Sequence, residues 1–475
     1  MVFSSVLFLF YFLPIVLLLY YSTSKSVKVS NLILLASSLL FYLFGGVDTF
    51  PLIIASILIN YLAGFLIGTV STQFTRKCVL VLGVFCNISL LFYYKYFNFF
   101  IKVYNMVPRA YLKWMPNAQY KDIVLPIGIS FFTFQGMSYI IDVYRGEVFA
   151  QRNVLKVALY ISLFPQLIAG PIVRYSDINK QLSTRIICID RITEGTFRFI
   201  FGLGKKCILA DVMSEIADKV FAMNPGSLTP SLAWAGAISY TLQIYFDFSG
   251  YSDMAIGMGK MLGFDFPENF NYPYTSKSIR EFWRRWHISL SAWFRDYVYI
   301  PLGGSRRGNV YFNLLVIFLL TGLWHGADFV FLFWGMWHGF FCIVERFVAS
   351  HFRIRLPSLV SRLYTLLIVT IGWVMFRSEG IVYAIKYIFA MFGKKGSEFN
   401  YYNVYYFLDR RYITSFVLAL ALAFGIPQFI YNRADEIIKP KIISALRYPY
   451  ALFILVLSLM MVINRNYSPF IYFRF

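Results

Sequence analysis

Residues 1–21 read MVFSSVLFLFYFLPIVLLLYY, an apolar stretch without a charged side chain. About 20 apolar residues are enough to cross the hydrocarbon core of a bilayer as a helix. A secretory signal would begin with a positively charged stretch and end at small residues, and neither is present. The stretch therefore predicts a retained membrane span. The next loop, 22–30, carries Lys25 and Lys28, which predicts a cytoplasmic loop and an N-terminus outside the cytoplasm.

The composition of the whole chain indicates the same class. Hydrophobic residues make up 59% of the 475 residues and charged residues 14%, against about 45–50% and 25% in ordinary globular chains. So apolar a chain would collapse rather than stay disordered. The five cysteines have no CxxC spacing, which excludes a disulfide framework. A polytopic membrane protein remains.

Further apolar stretches of spanning length follow along the chain. They lie near 31–45, 50–70, 78–100, 124–141, 154–173, 194–212, 231–263, 311–327, 329–349, 360–377, 412–431 and 448–464. Some are short or broken by Gly and Pro, and 164–171 (FPQLIAGP) is expected to be re-entrant or kinked beside a cavity. We expect an all-α fold with about ten to eleven transmembrane helices, plus re-entrant and interfacial helices.

The formal net charge of the chain is +21. In a membrane protein this excess is expected in cytoplasmic loops, where Lys and Arg face anionic membrane lipids. We expect no nucleic-acid partner, because no basic soluble domain is present to bind one. No long polar insert interrupts the apolar pattern, so we expect a single integral membrane domain over residues 1–475.

The stretch 240–253 (YTLQIYFDFSGYSD) is apolar enough to span but contains Asp247, Ser249 and Asp253. Ionisable groups at membrane depth cost about 2.5–3.5 kcal/mol each on insertion scales, and they usually face the protein interior or a wet cavity. Two interpretations stay open. These residues form either a polar knot that holds helices together or the wall of a substrate tunnel.

The segment 276–309 is rich in arginine and tryptophan. Its centre, FWRRWHISLS over 282–291, contains Arg284, Arg285, Trp286, His287 and Ser289. Alternating Trp and Arg is typical of a helix that lies flat at the membrane interface, with its rings in lipid. The same basic surface could attract the phosphates of an acyl carrier such as coenzyme A. Both interpretations stay open, and the first does not explain His287.

The chain has four histidines. A lone histidine in a span is usually a hydrogen-bonded packing residue, which is our interpretation of His338 and His351. His325 differs, because it follows Trp324 in TGLWHG (321–326), where the glycines allow close backbone approach. A neutral imidazole at a buried site can take a proton from a hydroxyl while water is excluded.

The sequence lacks HExxH, CxxC, GxSxG and Walker motifs. We therefore expect no metal site and no resident cofactor. A histidine base alone suits acyl transfer from a thioester to a hydroxyl, because the donor already stores the driving force. Two alternatives remain: a transporter or flippase for a polymer precursor, without chemistry of its own, and a membrane glycosyltransferase in which Asp247 and Asp253 would hold a metal.

The block RRWHISLS (284–291), followed by TGLWHG (321–326), resembles the motifs of the membrane-bound O-acyltransferases, and within them the bacterial alginate O-acetyltransferase branch. Similar features elsewhere extend the resemblance over essentially the whole chain. They are MVFSS (1–5), PIGISF (126–131), AGPI (169–172) and FDFSGYSD (246–253). The resemblance implies a ring of helices around a central tunnel. It also implies a catalytic role for His325, with His287 as its partner near the cytoplasmic mouth.

The resemblance further implies an enzyme of the cytoplasmic membrane. The expected donor is acetyl-CoA or another acyl thioester on the cytoplasmic side, and the expected acceptor is a cell-surface polymer. An extracytoplasmic acetyltransferase partner of the SGNH type commonly completes the transfer in this branch. Members acting on alginate, peptidoglycan, teichoic acid or cellulose look alike at this level.

The aromatic tail, residues 466–475 (NYSPFIYFRF), is similar to the endings of that branch. There a near-terminal tyrosine, which corresponds to Tyr472, has been suggested to carry the acyl group as a transient ester. The chemistry is reasonable because a phenol is a better leaving group than a sugar hydroxyl. The alternative interpretation is an interfacial aromatic anchor.

Overall fold

The computed structural model describes residues 1–108, 117–352, 356–393, 403–430, 440–464 (side chains from 445) and 470–471. Regular structure in these ranges is helical, apart from an isolated β-bridge between Phe270 and Trp286. The predicted all-α class is therefore confirmed. The described chain falls into two compact units.

The first unit comprises Met1, residues 7–192 and residues 259–267. Its α-helices α1 to α9 are Leu13–Ser22, Val27–Leu43, Phe50–Thr69, Gln73–Leu91, Phe97–Met106, Ile129–Arg145, Val154–Ser162, Phe164–Leu167 and Tyr175–Ile178. Asn60 on α3 and Asn87 on α4 exchange side-chain hydrogen bonds of 3.1 and 3.0 Å inside the unit. Reciprocal bonds of this kind satisfy amides that burial would otherwise leave unpaired.

The proline- and glycine-containing stretch at 164–171 breaks its helix as predicted. The helix α7 ends at Ser162, and α8 covers only Phe164–Leu167 before the helical run stops. Pro165 stands in the first turn of α8, where its missing N–H costs no helical hydrogen bond. The stretch is therefore a kinked segment and not one straight span.

The second unit comprises residues 2–6, 193–258 and 268–475. Helix α10 (Ile189–Gly204) runs into this unit from residue 193, and α12 (Pro230–Met261) belongs to it up to residue 258. The other helices, α11 and α13 to α20, are Asp211–Phe221, Ile279–Arg285, Ile288–Phe294, Val310–His325, Phe329–His351, Ser358–Arg377, Ile381–Met391, Arg410–Ala423 and Pro440–Asn464. A π-helical turn, Lys205–Ala210, joins α10 to α11.

Helices α15 and α16 form a tight hairpin in the second unit. A Cβ at Gly322 on α15 would overlap the carbonyl oxygen of Phe331 on α16. The Asp328 side chain caps α16 by accepting the N–H of Val330 at 3.2 Å. The predicted close backbone approach beside the Trp324–His325 pair is therefore confirmed.

Four helical segments of the described chain are long and apolar enough to cross a membrane. They are Val47–Thr69, Gln73–Met106, Ser358–Arg377 and Ala445–Asn464. Shorter apolar helices are Phe8–Ser22, Val27–Leu43, Val310–His325 and Ile381–Met391. The exact number of spans stays a prediction.

Of the two open interpretations of the Trp–Arg segment, the one flat interfacial helix with its rings in lipid is wrong. The segment forms two short helices, α13 and α14, which are separated at Trp286 and His287. Trp283, Trp286 and Trp293 are buried inside the protein, with 9%, 1% and 5% exposed. Their rings pack on other aromatic side chains instead of lipid, because the break at His287 turns both short helices into the core.

Candidate active site

Two of the histidines singled out from the sequence contact the same indole ring. His325 ends α15, and its ring centroid lies 4.9 Å from that of Trp324. The ring of His287 lies 5.9 Å from the same indole. Both imidazoles are buried, with 3% of His325 and 0% of His287 exposed. The structure therefore brings the two histidine motifs together through Trp324.

His325 is enclosed by aromatic side chains from the neighbouring helices. The ring of Trp334 on α16 lies 5.1 Å away and that of Phe376 on α17 lies 5.2 Å away, both nearly perpendicular to the imidazole. The close α15–α16 hairpin allows Trp334 to reach this position. Such an enclosure keeps bulk water away, as a buried general base requires.

His287 occupies a strained backbone position. It has φ 45° and ψ 54°, in the left-handed region, and separates α13 from α14. A non-glycine residue pays about 1–3 kcal/mol there, and such strain clusters at functional sites. Two backbone bonds to the preceding segment hold the turn, from Ile288 N–H to Asn269 O at 3.0 Å and from Asn271 N–H to Arg285 O at 2.9 Å.

The side chain of Asn269 fixes the tautomer of His287. Its Oδ1 lies 3.0 Å from His287 Nδ1 and also accepts the Ser289 hydroxyl at 2.9 Å. Its Nδ2 donates to Ser252 Oγ at 3.0 Å, which agrees with this orientation of the amide. Because a carbonyl oxygen only accepts, Nδ1 carries the proton and Nε2 carries the lone pair. His287 lies between the apolar stretches, and burial lowers its pKa to about 3, so the imidazole is neutral.

A cavity of about 200 Å³ opens beside this network within the second unit. Its walls include polar or charged side chains from α10, the π-helical turn after it, α12 and the segment after α12: Arg198, Lys205, Tyr245, Ser249, Ser252, Asp253, Glu268 and Asn269. Asn269 both lines the cavity and contacts His287, so one side chain separates the imidazole from the cavity. Ser249 and Asp253, two of the predicted tunnel residues, line it. The tunnel itself stays a prediction.

Two cations in the cavity wall are held by carboxylates. The Oδ1 of Asp253 lies 2.8 Å from Arg198, and its Oδ2 lies 2.6 Å from Lys205. Arg198 also reaches Glu268. Guanidinium and ammonium groups at such a wall can donate charge-assisted hydrogen bonds to an anionic or strongly polar ligand.

Asp247 belongs to a different network on the same helix. Its Oδ1 lies 2.6 Å from the Lys206 ammonium, which also lies 2.9 Å from Asp211. Its Oδ2 accepts the backbone N–H of Ile471 at 2.8 Å. The two interpretations of 240–253 therefore apply to different residues: Ser249 and Asp253 line a cavity, while Asp247 ties separate segments together.

The remaining candidates of the basic block do not line the cavity. Arg284 is exposed, and Arg285 pairs with Glu281 at 2.9 Å. Trp286 is buried against Trp373, with ring centroids 4.7 Å apart, and forms part of the aromatic core. Arg284 is thus on the surface of the protein, whereas Trp286 has a packing position.

The other two histidines occupy unlike environments. His338 packs between Trp283 at 5.1 Å and Trp334 at 5.2 Å, but neither of its ring nitrogens has a hydrogen-bond partner within the described residues. The expected hydrogen bond is therefore wrong for His338, because aromatic rings surround it. His351 makes the expected hydrogen bond, with Nδ1 3.0 Å from Phe347 O, and its ring stacks on that of Phe347 at 4.2 Å, although it lies exposed at the end of α16.

Sequence reasoning missed Asn269 and Lys206. A lysine inside the apolar stretch 194–212 is itself a signal, because an ionisable group at membrane depth needs a partner. Asn269 gave no comparable signal, since its contact with His287 depends on the backbone bridge between the two segments. Tyr472, the predicted acyl carrier, lies outside the described residues.

Comparisons with known proteins agree with the motifs. The model of the membrane-bound O-acyltransferase family matches residues 147–383. The chain is 41% identical to the "Probable alginate O-acetylase AlgI" of Pseudomonas putida, over 100% of both chains. It is 45% identical to the protein of the same name from Pseudomonas aeruginosa, over 93% of this chain and 84% of that protein. It is 33% identical to the peptidoglycan O-acetyltransferase of Helicobacter pylori, over 100% of this chain and 98% of that protein. The chain belongs to the membrane-bound O-acyltransferase family, in its alginate O-acetyltransferase-like branch, and is an O-acyltransferase.

Proposed function

We propose that the protein moves an acetyl group from a cytoplasmic thioester, such as acetyl-CoA, to a hydroxyl of a cell-surface polymer. Relatives named for alginate and for peptidoglycan support a polymer acceptor. The enzyme acts in the cytoplasmic membrane with its N-terminus outside, and an extracytoplasmic acetyltransferase of the SGNH type completes the transfer. No resident cofactor takes part.

The observation that carries the proposal is the buried cluster of His287, Trp324 and His325 beside a polar cavity. It combines an imidazole shielded from water with a space whose wall carries Arg198 and Lys205. The exposed arginines of the basic block add a surface that attracts the phosphates of the donor.

His325 acts as the general base. Its imidazole takes the proton of the acceptor hydroxyl as the hydroxyl oxygen attacks the thioester carbonyl carbon. The C–S bond then breaks, and the thiolate leaves and takes up the proton. His287, held neutral by burial and oriented by Asn269, presents Nε2 as a further hydrogen-bond acceptor. Proton transfer of this kind contributes about 10²–10⁴-fold.

Tyr472 is the first acceptor in the proposed sequence. Its phenol oxygen takes the acetyl group from the thioester, and the thiol is released. A polymer or partner hydroxyl then attacks the aryl ester, and the phenol leaves with a proton. Ile471, which precedes Tyr472 in the sequence, is bonded to Asp247 in the core, and this contact supports a role of the tail other than surface anchoring.

The test uses purified full-length protein in vesicles with acetyl-labelled CoA, alginate oligosaccharides and, on the outer side, the SGNH-type partner acetyltransferase. The parent is expected to consume thioester, which a transporter without chemistry would not do. His325→Ala is expected to lower polymer acetylation by about 10²–10⁴-fold, and Tyr472→Phe to stop outward transfer. The control is His351→Ala, which changes an exposed histidine. Unchanged ester content with His325→Ala would refute the base assignment, and full activity of Tyr472→Phe would refute the relay.

A further inference from the structure

Residues 470–471 are buried inside the second unit. Phe470 is 1% exposed and Ile471 is 7% exposed. An anchor at the membrane surface would leave such residues facing lipid or headgroups. Phe470 and Ile471 are therefore part of the buried core of the second unit.

On the polar side of residues 470–471 lies a buried triad of two carboxylates and one ammonium group. Asp247, Lys206 and Asp211 are 1%, 3% and 4% exposed, and the two carboxylates share one ammonium. Formally, the triad carries one negative charge in excess, which burial disfavours unless further donors reach it. The N–H of Ile471 supplies such a donor to Asp247 Oδ2 at 2.8 Å. A hydrogen bond to a charged acceptor is stronger than one between neutral groups.

The apolar side is a stack of three aromatic rings. The ring of Phe470 lies 4.7 Å from that of Tyr251, with 30° between their planes. Phe3 lies 4.4 Å from the same tyrosine ring, at 15°. Two rings that both stack on one ring must occupy its opposite faces, so Tyr251 is held between Phe3 and Phe470.

Phe470 is also close to the candidate active site. Phe470 lies 6.4 Å from Phe248, and Phe248 meets the His287 ring edge-on at 4.7 Å. Phe470 and His287 thus contact the same phenylalanine ring. Asp247 and Phe248 are neighbours on α12, so one turn of this helix contacts both Ile471 and the His287 ring.

We propose that Asp247 and Tyr251 form an internal binding site for residues 470–471, and that Asp247 is the positioning residue that holds these two residues near Phe248 and His287. Lys206 and Asp211 fix the carboxylate so that Oδ2 faces the tail. The role of this site in catalysis rests on the proposed function, in which Tyr472 accepts the acetyl group. The binding of residues 470–471 does not depend on that function.

Binding is tested by thiol labelling of Ile471→Cys in detergent-solubilised full-length protein whose Cys78, Cys86 and Cys188 are replaced by serine. The maleimide reaction is expected to be slow, and Asp247→Ala is expected to accelerate it at least tenfold. The matched control is Asp253→Ala, which removes a carboxylate of the same helix that bonds Arg198 and Lys205; its labelling should match the parent rate. Equal rates for all three proteins would overturn the inference. If Asp247→Ala fails to fold, Tyr251→Leu replaces it with the same expected acceleration.

Positioning is tested by a double-mutant cycle on acetyl transfer from labelled acetyl-CoA to the peptide containing residues 466–475. Ile471→Pro removes the N–H donor and keeps the tail, with Ile471→Ala as its control. We expect Asp247→Ala and Ile471→Pro each to lower the maximal single-turnover rate constant at least tenfold, with the half-saturating donor concentration within twofold, and the double variant to lose no more than either single one. The positioning role would be overturned if the losses of the two single variants multiplied in the double variant. It would also be overturned if the variants changed only the donor concentration needed for half-maximal rate. Acetylation that persists in Tyr472→Phe while the labelling result holds would refute the relay and leave the binding site intact.

Discussion

His287 donates its Nδ1 proton to the side-chain oxygen of Asn269 over 3.0 Å. This bond decides which nitrogen carries the lone pair, and it connects the imidazole to a residue of the cavity wall. A histidine in a buried site can adopt either tautomer, so the acceptor beside it determines its chemistry.

Changing Asn269 is therefore expected to alter the reaction and its pH dependence. Asn269→Ala removes the acceptor of Nδ1–H and is expected to lower the rate of acetyl transfer, because the tautomer and the orientation of the imidazole are no longer fixed. Asn269→Asp places a carboxylate beside Nδ1–H and raises the pKa of His287 from about 3. Below the raised pKa the imidazole is protonated and Nε2 loses its lone pair, so activity should fall as the pH is lowered through that value.

The measurement is the rate of thioester consumption between pH 5 and 8. In the parent, His287 stays neutral throughout this window, so its titration causes no loss of rate at the acidic end of the profile. An Asn269→Asp profile that overlays the parent profile would contradict the assigned bond.

The left-handed backbone at His287 predicts an unusual order of stabilities. His287→Gly and His287→Ala both remove the imidazole, but only glycine adopts φ 45° without strain. The glycine variant is expected to be more stable than the alanine variant by about 1–2 kcal/mol. Thermal unfolding in detergent measures the difference, and an alanine variant as stable as the glycine variant would argue against the strained turn.

The exposed guanidinium of Arg284 is expected to assist donor binding. Arg284→Gln should raise the KM for acetyl-CoA by about two- to fivefold, which corresponds to the modest energy of an exposed charge contact. The effect should shrink at high salt because screening weakens it. Lys28→Gln makes the same charge change at an exposed position outside the block and is the control. An equal rise in KM for both variants would indicate a general effect of net charge.

The α15–α16 hairpin is expected to tolerate no side chain at Gly322. Gly322→Ala places a methyl group on the carbonyl oxygen of Phe331 and forces the two helices apart. Overpacking of this kind costs about 1–3 kcal/mol, and the displaced Trp334 would also change the surroundings of His325. A lowered unfolding temperature together with reduced activity is expected. Gly380→Ala, where a Cβ meets no atom within 4 Å, should leave both unchanged.

The helical class and the meeting of the two histidine motifs could be predicted from the sequence. Apolar length determines the class, and the motifs at 284–291 and 321–326 are specific enough to indicate one site. The surroundings of Trp286 could not be predicted, because a tryptophan beside arginines looks the same whether its ring faces lipid or the core. The left-handed turn at His287 decides whether the Trp286 ring faces lipid or the core. The sequence did not predict this turn, because no residue type there requires it.

The roles of Asp247 and Asp253 were also beyond sequence reasoning. Both are carboxylates on α12, and the stretch around them is equally apolar. Their partners, Lys206 and Lys205, are consecutive in sequence, so spacing alone cannot assign one lysine to each acid. Contacts across helices decide such pairings.

The π-helical turn at Lys205–Ala210 has a consequence for how this enzyme can vary. Side chains of consecutive helical residues point in different directions, about 100° apart in an α-helix. Here the Lys205 ammonium contacts Asp253 in the cavity wall, and the Lys206 ammonium contacts Asp247, which binds Ile471. Removing a single residue from the turn would rotate everything beyond it and leave one acid without its cation. Natural variation in this turn should therefore keep Lys205 and Lys206 and the number of residues, while the other side chains are exchanged more readily.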